Sequence, residues 1–167
     1  MPQSKRGGSR PPYIEELRQA VEETAPRLLA LSDSESQHPR RPGKWSPAEI
    51  IGHLIDSASN NHQRFVRAQF QNDLVFPGYD QDKWVALQTY RDAHWVDLVT
   101  LWKTFNIHIA RVMENTPDDV RNSPRTTHNL DELAWRAVQR DQPATLDYFM
   151  NDYVEHLKHH LAQIFPD

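Results

Sequence analysis

The chain has 167 residues, of which 38% are hydrophobic and 25% charged, with a formal net charge of -4 and a pI of about 6.1. One domain with a sizeable core is expected at this length, and nothing in the charge balance advertises a nucleic-acid partner. There is no cysteine, which excludes disulfides, thiolate-rich zinc sites, iron–sulfur clusters and a cysteine nucleophile, and none of the 5 glycines builds a phosphate-cradling loop.

Residues 1–10 are polar without an apolar run, so they read as a disordered tail rather than a secretory leader. No stretch approaches the ~20 apolar residues of a membrane span. A soluble, cytoplasmic protein with one domain over residues 11–167 is expected.

In chain order, Ile14, Leu17, Val21, Leu28, Leu29 and Leu31 carry a helical stripe over residues 11–31, interrupted by Pro26, where a kink is expected. Residues 32–44 read as a polar loop. The sharpest helix start is Trp45-Ser46-Pro47-Ala48-Glu49, where Ser46 and Glu49 form a capping box and Pro47 takes the first helical position. Trp45 is placed to staple this helix to the bundle. The apolar pattern extends it through Phe65 and Phe70 to about Asn72.

Phe76-Pro77-Gly78-Tyr79 reads as a turn, and residues 80–87 as a short helix. A third long helix is predicted from about Asp92 to Thr116, with Trp95, Leu98, Leu101, Trp102, Phe105, Ile109, Val112 and Met113 on one side. Residues 117–143 form a long connection with helical hints around 130–138, and a last helix runs from about Ala144 to Phe165. No strand-like alternation is present, so the fold class is all-α: a four-helix bundle of up-down type with long crossover connections and short extra helices.

Nine histidines are present, and the last helix carries His156-Leu157-Lys158-His159-His160. Positions i and i+4 share a helix face, so His156 and His160 can address one ion. His53 lies among Ile50, Ile51 and Leu54, where an unpartnered imidazole is costly, and it is the best third ligand. Spacing alone leaves an ordinary core-edge histidine as the commoner explanation. His159 points about 100° away and is read as solvent-facing. His38, His62, His94, His108 and His128 are read as surface residues, with His62 a fourth ligand only if it turns inward. Asp56, three residues after His53, and Asp152, four before His156, are candidates to accept the remaining N–H of a ligand. Asn60, Asn61, Arg64, Tyr79, Asp80 and Trp84 are candidate pocket residues; packing is the better expectation for Trp84. No catalytic residue is assigned.

The stretch from Trp45 through His53 to Asp56, followed by Asn61 and Arg64-Phe65, resembles the second-helix signature of the DinB/YfiT-like metalloenzyme family. The stretch from Asp152 through His156 and His160 to Ile164 resembles that family's last-helix signature, and the two occur in the family's order, about 100 residues apart. The resemblance spans roughly residues 11–166. It implies a four-helix bundle with one divalent transition metal on His53, His156 and His160: zinc or nickel foremost, iron or manganese as alternatives. It also implies a metal-dependent enzyme acting on a small molecule, resembling S-transferases that use a low-molecular-weight thiol. A metal-dependent hydrolase and a non-catalytic metal-binding bundle are the alternatives. Neither a nucleic acid nor a membrane is an expected partner, and a homodimer is compatible with the fold.

Overall fold

The computed structural model describes residues 10–166; the rest of the tail expected over residues 1–10, and Asp167, lie outside the described residues. Arg10 is exposed and pairs with Glu114. Four long helices form the body: α1 (Pro12–Leu29), α3 (Pro47–Arg67), α5 (Trp95–Asn115) and α8 (Leu146–Ile164). Short helices fill the connections: α2 (Asp33–Gln37), α4 (Gln81–Gln88), α6 (Asp118–Asn122) and α7 (Leu130–Leu133), with a 3-10 turn at Tyr90–Asp92. Among the described residues no helix is long and apolar enough to cross a membrane.

Helix α1 packs against α5 and α8, and α3 packs against the same two, so α1 and α3 occupy opposite corners. Arg18 bonds Glu114 while the Trp95 indole N–H donates to Leu28 O, which makes α1 and α5 antiparallel. Tyr13 donates to Asp147, and the Arg27 guanidinium lies over Phe165, so α1 and α8 run parallel. Phe65 meets Phe149 while His53 meets His156, so α3 opposes α8. The four long helices therefore run up, down, down, up. Two consecutive helices in one direction require a connection that returns the length of the bundle, and residues 68–94 provide it.

Local signals account for most boundaries. Ser46 Oγ accepts the Glu49 N–H at 3.3 Å and Glu49 Oε2 accepts the Ser46 N–H at 2.7 Å, the reciprocal box expected there. Ser32 and Glu35 repeat the device, starting α2 inside the segment expected to be loop. Pro26 falls in the last turn of α1, and the helix ends three residues later at Leu29, which is exposed. Helix α3 stops at Arg67, short of Asn72, because Arg125 Nη1 donates to Ala68 O and the chain leaves through two tight turns. Phe70, expected on its apolar stripe, is 76% exposed. The third long helix starts at Trp95 rather than Asp92, because the 3-10 turn occupies Tyr90–Asp92, and its Leu101 faces outward.

The two long crossovers, residues 68–94 and residues 116–145, hold each other. Leu74 N–H donates to Thr127 O, Asn129 N–H returns to Leu74 O, and the Asn129 side chain bonds both backbone groups of Phe76. His128, expected at the surface, is buried here, with Nε2 2.7 Å from Gln142 O and Nδ1 accepting the Leu130 N–H. These pairings lay residues 78–81 and 132–135 beside the α3 and α8 faces that carry the histidines.

Candidate metal centre

On α3 the residues His53, Ser57 and Asn61 fall at i, i+4 and i+8, followed by Arg64, and all four are buried. Such a polar stripe inside a core needs partners. On α8 the facing stripe is Phe149, Asp152, Tyr153 and His156, with His160 one turn further on. Because α3 and α8 are antiparallel, His53 in the early turns of α3 lands beside the late turns of α8.

One ring nitrogen from each of His53, His156 and His160 lies within 4.8 Å of the others. His53 Nε2 is 3.4 Å from His156 Nε2. That is long for a hydrogen bond, yet two nitrogens on a tetrahedral ion at about 2.0–2.1 Å are themselves about 3.3 Å apart. The His53 ring is 4.6 Å, and the His156 ring 4.5 Å, from that of His160, centroid to centroid. His160 Nδ1 lies 3.2 Å from Gln163 Oε1, an oxygen that only accepts, which leaves His160 Nε2 with a free lone pair. His53 Nδ1 is buried and has no partner among the described residues. Trp45 packs beside the group, its ring 5.0 Å from that of His53 and 6.3 Å from that of His160. The donor set fits a divalent transition ion: three imidazoles and no carboxylate suit zinc, nickel or iron better than magnesium or calcium.

Burial pushes the imidazoles of His53 and His156 down to about 3, with neighbouring histidines adding to the effect, and lowers that of His160 as well. Each is therefore held neutral, the form a metal requires. The sign of the linked pH dependence follows. Unfolded histidine protonates near 6.5 and the native residue only near 3, so the stabilisation is complete above 6.5 and is lost as pH falls toward 3. The unfolding midpoint of metal-stripped protein should drop as pH falls below about 6.5, and a His53→Leu variant should show a flatter decline. Equal slopes for the two would remove His53 as the source.

A cavity of about 370 Å³ leads away from the histidines, between α3 and α8, and its mouth is bounded by the two crossovers at Gly78–Gln81 and Glu132–Trp135. Of the residues expected in a pocket, Asn61, Arg64 and Tyr79 line it. The others do not. Asn60 bonds Asp56 O, Asp80 caps α4 through the Lys83 N–H, and Trp84 packs outside against the Tyr79 ring at 4.9 Å. The hydrogen bonds of the two carboxylates expected to orient the ligands go elsewhere. Asp56 Oδ1 accepts from Tyr90 at 2.6 Å and from Gln88 at 2.8 Å. Asp152 accepts the backbone N–H groups of Trp135 and Arg136, both at 2.8 Å, and so ties the second crossover to α8. His62 sits against Phe105 and His108 on α5, away from the centre. Ser57 and Gln163 were missed by sequence reasoning, although both stand at helical spacing from a ligand histidine. Glu132 and Trp135 carry no such signal.

The fold and site define a four-helix bundle with a three-histidine centre beside a cavity between two of its helices. The chain belongs to the DinB superfamily, whose sequence profile matches residues 16–164. Similar curated proteins from Bacillus mycoides and Bacillus cereus are named "Putative metal-dependent hydrolase"; they are 27% and 26% identical over 75 residues, which is 45% of this chain. That match spans 43% of each relative's length. Among solved structures, YfiT from Bacillus subtilis, described as a probable metal-dependent hydrolase with an unusual four-helix bundle topology, superposes with a TM-score of 0.76 at 19% identity. The superposition covers 98% of this chain and 89% of that one, and it shows the shared fold.

Proposed function

We propose that this chain is a divalent-metal-dependent enzyme of hydrolytic type, with His53, His156 and His160 as the ligands and the adjoining cavity as the substrate site. The observation that carries the reading is the convergence of three neutral imidazole nitrogens within 4.8 Å, with His53 and His156 on the wall of that cavity. A divalent ion held by neutral ligands alone keeps its full charge and an open position, and so supplies Lewis acidity to a substrate oxygen or to water.

The protein's own part is to hold the donors neutral, fix the His160 tautomer through Gln163, and wall the cavity with the two crossovers. A cavity of about 370 Å³ suits a small molecule. Zinc and nickel best match the donor set, with iron and manganese as alternatives. The same centre chemistry would serve transfer of a low-molecular-weight thiol, but the names of the relatives support hydrolysis.

The test is a panel of carboxylic esters, amides and phosphate esters presented to metal-loaded protein, with and without added thiol. Turnover that needs metal, needs no thiol and disappears in His156→Ala supports the proposal. Turnover only in the presence of thiol overturns the hydrolytic reading. No turnover in either arm leaves a metal-binding bundle without catalysis.

A further inference from the structure

Arg64 is 6% exposed, lies on the wall of the cavity, and enters none of the ion pairs formed among the described residues. Its guanidinium donates from Nη1 to Asn61 Oδ1 at 3.3 Å and from Nη2 to Pro77 O at 2.9 Å. Both acceptors are neutral. A guanidinium has five N–H donors and stays charged in proteins, so three donors and a whole positive charge remain without a counterpart. The two carboxylates on the cavity wall are otherwise engaged: Asp152 by the amides of Trp135 and Arg136, Glu132 by Arg140. Buried charges are normally paired, so a lone one facing a cavity marks where a ligand's charge belongs.

Arg64 is eleven residues beyond His53 on α3, about 16 Å along the axis at 1.5 Å per residue. The long arginine side chain shortens that separation, because side chains on a helix lean toward its N-terminus. Between the two ends the wall is mixed: Ser57 and Asn61 on one side, Phe149, Leu133 and Trp135 on the other.

We infer that the cavity takes a substrate carrying a carboxylate at one end, bound by the Arg64 guanidinium, with an apolar body along Phe149 and its reacting group at the histidine end. This deepens the metalloenzyme reading and rests on it for the position of the reacting group. A carboxylate fits better than a phosphate. One negative charge matches the single spare positive charge, whereas a dianion would bring a second charge with no counterpart on the wall. The planar fork of arginine matches a carboxylate through two parallel N–H donors.

The competing account is that Arg64 only pins the turn at Pro77. It is separated by measuring binding of benzoate and phenylacetate against their neutral amides, benzamide and phenylacetamide, with phenyl phosphate as a further probe. Wild type, Arg64→Gln and Arg64→Lys are compared, all metal-stripped, so that no ion offers the carboxylate a second anchor. The expected result is that wild type prefers the carboxylates at least about tenfold, that Arg64→Gln loses the preference while its unfolding midpoint is retained, and that Arg64→Lys keeps part of it. If Arg64→Gln fails to fold, Arg64→Lys, which keeps the charge and loses the fork, decides the point by a reduced preference. Equal binding of acid and amide in wild type overturns the inference. So does a preference unchanged in both variants, tighter binding of phenyl phosphate, or no binding of any carboxylate below about 10 mM. Metal content is measured on the same samples after reloading. An Arg64-dependent preference without metal uptake would sink the metal reading alone, and metal uptake without that preference would sink only the carboxylate.

Discussion

Zinc should raise the unfolding midpoint of the wild-type protein, and His53→Ala should erase that rise. A ligand that binds only the native state stabilises it by RT ln(1 + [L]/Kd), about 4 kcal/mol at a free concentration a thousand times Kd. For a domain of this size that is a shift of roughly 8–16 °C. Alanine at His53 leaves His156 and His160, an i, i+4 pair on one helix and a poor site by itself, so both the shift and the bound ion should go. Without metal the variant should differ little. It leaves a void beside Trp45 but also removes the buried, unpartnered Nδ1, two effects of opposite sign. The comparison therefore separates a ligand from a core histidine: a core residue would change the metal-free midpoint and leave the response to zinc untouched. Calorimetry with and without zinc, beside metal analysis of both proteins, decides it. A zinc response that survives in His53→Ala, or is absent from wild type, removes the three-histidine centre.

Short-range geometry made His53, His156 and His160 candidates among nine histidines, and the resemblance of the two helix signatures made them a ligand set. The i, i+4 pair and the box at Ser46 and Glu49 are local, so the faces of α3 and α8 follow from them. What brings the two helices to the same depth is the up, down, down, up order, and no local pattern encodes it. The same divide explains the carboxylates. Asp152 stands one turn from His156 and spacing offered that partner; its hydrogen bonds come instead from Trp135 and Arg136, delivered by a crossover. Asp56 is similarly engaged by Tyr90 and Gln88 from the other crossover. His128 reads as a surface residue in the sequence because no partner stands at helical spacing from it. It is buried because its stretch pairs with Leu74. Ser57 was legible in principle, being four residues after His53 and four before Asn61 on a stripe that already contained both.

Gly52→Ala should destabilise the protein by about 3 kcal/mol, against what helix propensity alone would give. In a solvated helix interior the change from glycine to alanine gains about 1 kcal/mol. At Gly52 a Cβ would fall within overlap distance of three carbons of the Tyr90 ring, so the ring would have to move as a body. Tyr90 is itself buried, at the start of the 3-10 turn after Thr89, whose φ of 47° places it in the left-handed region. Its hydroxyl donates to Asp56 Oδ1 at 2.6 Å, while Asp56 Oδ2 is buried with no partner among the described residues. Displacing the ring therefore costs overpacking of about 1–3 kcal/mol and leaves a buried carboxylate short of a donor, about 1–3 kcal/mol more. The packing terms outweigh the propensity term. Urea denaturation of Gly52→Ala, Tyr90→Ala and the double variant closes the argument as a cycle. With the ring gone, the alanine at 52 should become neutral or stabilising, because only propensity is left to act. If Gly52→Ala is stabilising in the wild-type background, the close approach of Tyr90 to α3 is not what holds the first crossover against the helix that carries His53.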